Sequence, residues 1–213
     1  MSAVVVSPYS PEWPQLFHVL RERLLPVFAS QAIVIEHIGS TAVPGLAAKP
    51  VIDMLLGAAA LADVESKIGA LDGLGFTYIP KYERELPMRR YFVSASASRL
   101  RVHLHAVELD SPLWQQHLMF RDALRADAGL RARYQSLKLG LANTFAGDKA
   151  AYTAAKSPFI QSMLAGLAER SDGHRASIAS CRPRPDDVKP SSGSCCNQDG
   201  VAFNRARQPR AIP

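Results

Sequence analysis

Two β-branched runs joined by one short loop constrain this chain more than any other stretch. AIVIEHIG (32–39) and PVIDMLL (50–56) are linked by the ten residues STAVPGLAAK (40–49). Each run has the Val/Ile enrichment and the length of a strand. PVIDMLL is apolar on both faces apart from Asp53, which predicts an interior strand with an ionisable group inside it. An ionised carboxylate in an apolar strand is costly unless it is paired or bound to a cation, so Asp53 needs a partner.

The pattern around this pair is mixed. Ser10 as cap and Pro11 at the first helical position start a helix carried by Leu16, Phe17, Leu20 and Leu24 and ended by Pro26. ALADVESKIGALDGLG (60–75) predicts a helix with Gly75 as its stop. FTYIP is a short strand, and RRYFVSAS with SRLRVHLHAVE predicts a hairpin. Asp110 or Ser111, followed by Pro112, opens helices that continue to Leu167 with breaks near Asp127 and Gly147. The fold class expected is α+β: a mixed sheet with flanking helices, then a small helical segment. The domain spans 1–170, with the sheet part in about 1–109 and the helical part in about 110–170. Residues 171–213 lose periodicity and gain Pro, Ser and Arg, as a disordered tail does.

Charge and cysteine placement exclude some functions. The formal net charge is +6, but seven Lys/Arg and only four acids fall after residue 170. That leaves 18 basic against 15 acidic residues in 1–170, a poor electrostatic case for a nucleic-acid partner. All three cysteines (Cys181, Cys195, Cys196) lie in the tail, so residues 1–170 hold no disulfide or cysteine metal site. There is no signal-peptide pattern and no apolar run long enough for a membrane span, so the expected location is cytoplasmic, with no membrane partner.

The loop is where chemistry is expected. A glycine directly after a strand lets backbone N–H groups approach an anion, and the Ser40 hydroxyl adds a donor. Lys49 can neutralise a phosphate, and Asp53 on the next strand can hold Mg²⁺ that also contacts phosphate oxygens. The competing reading is a tight turn with a capping serine and a solvated lysine. His103 and His105 alternate on one strand and share a face. They are candidates for metal ligation, for hydrogen bonds to phosphate, or for the role of general base. Tyr134/Lys138 and Tyr152/Lys156 each share a helix face. They either offer ammonium groups to an anion or pack their tyrosines while the lysines reach water. One of Arg89 and Arg90 points into the cleft and the other away.

The stretches YSPEWPQLF (9–17), EHIGSTAVPGLAAKPVIDM (36–54), VHLH (102–105), FRDALR (120–125), YQSLK (134–138) and YTAAK (152–156) together resemble the GrpB-like family, a branch of the nucleotidyltransferase superfamily. The resemblance implies a polymerase-β-like nucleotidyltransferase fold and a metal-dependent transfer of a nucleotidyl group from a nucleoside triphosphate to a small acceptor. It implies catalytic roles for Asp53, His103 and His105 and nucleotide contacts from Gly39, Ser40, Thr41, Lys49, Arg121, Lys138 and Lys156. It also implies Mg²⁺ or Mn²⁺ on Asp53, with Glu36 or a histidine as second ligand. One departure stands out. The superfamily carries two alternating carboxylates on one strand face, whereas Val51 and Leu55 flank Asp53 here. The alternative is therefore a catalytically degenerate module that binds a nucleotide or a coenzyme A-like ligand.

Overall fold

In the computed structural model the described residues are 4–29, 31–95 and 100–180, with side chains described up to residue 94 and over 100–169. The chain divides into two units, Met1–Asp172 and Gly173–Pro213, and the sheet and the whole of the site lie in the first. Its elements run α1 (Glu12–Leu24), β1 (Ile33–Ile38), β2 (Val51–Ala58), α2 (Leu61–Glu65), α3 (Ile68–Gly73), β3 (Thr77–Tyr78), β4 (Arg89–Ala95), β5 (Arg101–Glu108), α4 (Pro112–Ala126), α5 (Ala128–Thr144), α6 (Lys149–Ala155) and α7 (Ser157–Ser180). This is the α+β mixed sheet with flanking helices that the motifs lead one to expect.

The five strands are ordered β1-β2-β5-β4-β3. β2 pairs antiparallel with β1 and parallel with β5, so the strand that carries Asp53 is interior. β4 and β5 form the expected antiparallel hairpin. Side-chain alternation then sorts the two faces. Ile52, Met54, Leu56, Val102, Leu104, Ala106 and Phe92 point one way and join Trp13, Phe17, Leu20 and Leu24 of α1, with Val64 and Leu71, in the main core. Asp53, His103, His105 and Tyr91 point the other way. At one end of that second face, Leu55, Ile38 and Val107 pack on Trp114 of α4. Nearby, Val43 and Leu46 of the 40–49 loop pack on Leu124, Leu130, Tyr134 and Met163. The helical half thus closes over the loop and leaves a cavity above Asp53.

Several local expectations shift. The first helix starts at Glu12, one residue late, yet Ser10 Oγ still accepts from the Glu12 N–H. The helix expected over 60–75 is broken in two at Ser66–Lys67, where the Ser66 hydroxyl bonds back to the Asp63 carbonyl and competes with the helical ladder. Gly75, with φ +85°, ends it as expected. Ser111 caps α4 by accepting from the Trp114 N–H, with Pro112 at the first position. Asp127 and Asp148 cap α5 and α6 at the expected breaks. α7 runs to Ser180, beyond the end that fading periodicity suggests. The three cysteines, and the tail from 181 onward, lie outside the described residues. Among the described residues no helix is long and apolar enough to cross a membrane.

Candidate functional site

Strand register builds the centre of the site. Asp53 on β2 stands opposite His103 on β5, and Leu55 stands opposite His105. Val102, Leu104 and Ala106 are buried on the far face, so both imidazoles must rise on Asp53's side. His103 Nδ1 lies 3.0 Å from Asp53 Oδ1, and His105 Nε2 lies 3.9 Å from the same oxygen. One ligand atom from each of Asp53, His103 and His105 falls within 4.8 Å of the others. Burial alone would raise the Asp53 carboxyl, but the hydrogen bond from His103 and the nearby imidazole of His105 outweigh burial and hold it well below the usual carboxylate range. The same burial lowers His105.

Gly39 lets the loop meet this centre. Its φ of +71° with ψ −172° is a conformation that side chains resist. A Cβ there would sit 2.3 Å from Asp53 Oδ2. The next residue, Ser40, takes a hydrogen bond from Lys138 Nζ at 3.0 Å, and Lys138 also donates to the Ala47 carbonyl. Lys138 is 2% exposed. It does not reach water, as a snorkelling lysine would. Burial first, and the neighbouring Lys156 second, push its ammonium down to about 7. Lys49 and Lys156 are also lowered, each mainly by burial. Lys138 and Lys156 lie over the rings of Tyr134 and Tyr152, at 5.0 and 4.5 Å.

All of these groups open into one cavity of about 620 Å³. Its charged lining is Lys49, Lys138, Lys156 and Arg89 against the single carboxylate of Asp53. A cavity with that balance favours a polyanion.

The structure does not bring every predicted residue there. Glu36 shares a sheet face with Asp53 but is drawn to Arg121, with its Oε2 2.6 Å from Arg121 Nη1, and it lines a different cavity. It is not part of the Asp–His–His cluster and is paired with Arg121 instead. Arg121 lines that other cavity as well. Four of its five N–H donors are taken, by Glu36, by the His37 carbonyl at 3.1 Å and by both oxygens of Asp122. Thr41 is buried, and its hydroxyl donates to the Val51 carbonyl at 2.9 Å. It therefore accepts from the His37 Nε2–H at 3.1 Å. With its donor and one lone pair used, the Thr41 side chain fixes the loop. His37 stacks on Phe17, and burial pushes it down to about 4.

Other residues enter unannounced. Of the arginine pair, Arg89 faces the cavity, while Arg90 turns to Glu65 at 2.6 Å. Tyr91, alternating with the core residue Phe92, lines the cavity with Tyr82. Burial raises the Tyr91 phenol to about 12. His117 on α4 reaches His105, with ring centroids 5.8 Å apart, and burial lowers it to about 4. A single histidine on an amphipathic helix carries no sequence signal. Only the docking of α4 across β5 reveals it.

Comparisons with known proteins agree with this architecture. The family described as GrpB protein matches residues 3–166. The glutamate-rich protein GrpB of Alkalihalophilus pseudofirmus is 31% identical over 165 residues, covering 76% of this chain and 94% of that protein. The UPF0157 protein YqkA of Bacillus subtilis is 39% identical over 134 residues, which is 63% of this chain and 38% of YqkA's own length. The crystal structure of the conserved protein GrpB from Enterococcus faecalis superposes with a TM-score of 0.70 at 29% identity, covering 78% of this chain and 99% of that one.

Proposed function

The chain belongs to the GrpB family, and on that premise we propose that its cavity binds a nucleoside triphosphate and passes the nucleotidyl group to a small acceptor in a metal-dependent reaction. One observation carries this reading. A single cavity holds an Asp–His–His cluster beside a glycine-serine turn ringed by three lysines. The lysines bind and orient the phosphate chain. Lys138 is already aimed at Ser40, and a phosphate oxygen there gains the remaining ammonium proton and the serine hydroxyl. A lysine about 4 Å from a phosphate charge contributes on the order of 4 kcal/mol at the dielectric of a partly buried site.

The donor set fits a single divalent ion. One carboxylate oxygen and two imidazole nitrogens suit Mn²⁺ or Zn²⁺ better than Mg²⁺, which prefers oxygen alone. Asp53, His103 and His105 would hold it, and it would supply charge neutralisation at the phosphate oxygens. In the transfer, an acceptor oxygen bonds to the α-phosphorus as the bond from that phosphorus to its bridging oxygen breaks. Pyrophosphate leaves with that electron pair, held by Lys49, Lys138 and Lys156, and the acceptor's proton passes to water.

A second reading keeps the binding without the transfer. It is motivated by Leu55, fully buried against Ile38, Val107 and Trp114 where a second carboxylate would stand. The two are separated by titrating ATP, GTP, CTP and UTP calorimetrically into the protein and its Asp53→Asn variant, with Mn²⁺ or Mg²⁺ and without metal, while assaying pyrophosphate. Transfer predicts binding that strengthens with Mn²⁺, falls at least tenfold in Asp53→Asn, and yields pyrophosphate with some acceptor. Binding indifferent to both metal and substitution refutes transfer. No binding of any triphosphate refutes transfer and leaves, of the second reading, only a coenzyme A-like ligand, which is titrated next.

A further inference from the structure

We propose that Arg89, with Tyr82, Tyr91 and His117, forms a second oxyanion subsite on the opposite side of Asp53 from the lysines, and that it receives the acceptor by a carboxylate or a phosphate monoester. The claim about the acceptor rests on the transfer reading above. The oxyanion subsite does not.

Strand order separates the two cationic ends of the cavity. Ser40 and Lys138 lie at the β1–β2 side, Asp53, His103 and His105 occupy β2 and β5, and Arg89 stands on β4 beyond them. Neighbouring strands are about 4.8 Å apart, so β4 is roughly 10 Å from β2. A ligand gripped at both ends therefore spans the Asp–His–His cluster.

Among the described residues, Arg89 is half-buried like Arg90 but lacks the acceptors that Arg90 and the buried Arg121 have. Arg121 meets four acceptors. Arg90 pairs with Glu65 and Glu83 and donates to the Pro87 carbonyl. Arg89 makes only a long 3.4 Å contact from Nη1 to His105 Nδ1, and its guanidinium carbon lies 5.1 Å over the Tyr91 ring. Its Nε is buried with no hydrogen-bond partner, and Glu85 attracts it without forming an ion pair. Burying a guanidinium N–H without an acceptor is unfavourable. The acceptor is therefore one that arrives with a ligand. A planar fork of donors matches an oxyanion presented edge-on, and one positive charge suits one terminal group rather than a polyphosphate. Tyr82, Tyr91 and His117 add aromatic walls, and Arg89's contact orders the subsite against His105.

The test titrates methyl phosphate and acetate separately into the full chain and follows the imidazole proton resonances of His105 and His117. Wild type, Arg89→Gln, Arg89→Lys and Lys138→Gln are compared, each with and without saturating ATP. At least one probe should move both resonances saturably. Its affinity should fall about tenfold in Arg89→Gln, fall less in Arg89→Lys, and stay unchanged in Lys138→Gln and with ATP present. Methyl phosphate acting alone identifies a phosphorylated acceptor, and acetate acting alone a carboxylate. The proposal is overturned if neither probe binds, if ATP displaces the probe, or if Lys138→Gln abolishes binding while Arg89→Gln preserves it. Failure of ATP to bind, with the probe still responding to Arg89, refutes the transfer reading and leaves this subsite standing.

Discussion

Replacing Gly39 with alanine perturbs the site at its narrowest point, and the structure sets the size of the effect. Gly39 has φ +71° and ψ −172°, a region essentially restricted to glycine. Placing an L-residue there costs about 1–3 kcal/mol. The added Cβ would also stand 2.3 Å from Asp53 Oδ2 and 3.0 Å from Asp53 Cγ, so the carboxylate must move. Moving it breaks the 3.0 Å bond to His103. A charged hydrogen bond contributes about 1.5–3 kcal/mol when buried. The two side chains here are 26% and 22% exposed, so roughly 1 kcal/mol is the better figure after solvent screening. Gly39→Ala should thus lose about 2–4 kcal/mol in urea-induced unfolding with the m-value unchanged. The hydrogen-bonded His103 Nδ1–H resonance should vanish with it. Adding Asp53→Ala removes the collision, so the double variant should lose less than the sum of the two singles. A loss under about 0.5 kcal/mol with the His103 resonance intact would refute the argument that Gly39 is required by its approach to Asp53.

Three further outcomes follow, two from Lys138 and one from Arg121. Lys138 sits at about 7 through burial, while phosphate binds its protonated form; triphosphate affinity should therefore weaken as pH rises through 7, with proton uptake on binding at pH 8. Calorimetry in buffers of different ionisation heat measures that uptake, and its absence would exclude Lys138 as a phosphate contact. Stability runs with the opposite sign: between about 7 and the ordinary lysine value of 10.5 the folded state binds fewer protons than the unfolded one, so Lys138 makes the protein more stable as pH rises through that window. Arg121→Leu cuts the ties to Glu36, Asp122 and the His37 carbonyl. With Glu36 and Asp122 partly exposed, it should cost about 2 kcal/mol in thermal or urea unfolding. ATP affinity should stay within about twofold, and a larger loss of binding would restore Arg121 as a ligand contact.

The fold was legible where one face of an element had to be buried. Alternation in VHLH predicts two imidazoles on one face, and β5 carries them as expected because Val102 and Leu104 enter the core. The glycine-serine turn was legible for a similar reason, since few residues other than Gly39 fit a backbone that close to a carboxylate. What stayed hidden was partner choice among charged side chains. Glu36 and Arg121 are 85 positions apart, and no local pattern says that they neutralise one another instead of serving a ligand. Thr41 reads from sequence as a loop donor. Only the fold brings the Val51 carbonyl and His37 within reach of its hydroxyl. Arg89 and Arg90 are interchangeable in composition, and the strand's pleat alone decides which one meets Glu65.

The geometry of the donors bears on which ion chemistry suits this site. Two carboxylates alternating along one strand are about 6.6–7 Å apart at their Cα atoms, room for a pair of ions between their heads and a substrate. Here position 55 is leucine, committed to packing on Ile38, Val107 and Trp114. The donors nearest Asp53 lie across the ladder instead, on the strand paired with it, and their ligand atoms converge within 4.8 Å. Convergence on that scale encloses one ion, not two. One ion neutralises less of the charge that develops on a departing pyrophosphate, so the remainder must come from fixed cations. The cavity provides them as Lys49, Lys138 and Lys156, with no carboxylate but Asp53 in its lining. If transfer occurs at this site, its rate should therefore depend on the lysines far more steeply than in a two-ion enzyme. Lys138→Gln should slow pyrophosphate release by at least about a hundredfold at saturating Mn²⁺, equivalent to about 2.7 kcal/mol of transition-state stabilisation. A loss below threefold at saturating ion and nucleotide would mean that the metal alone carries the charge, and the single-ion argument would fail.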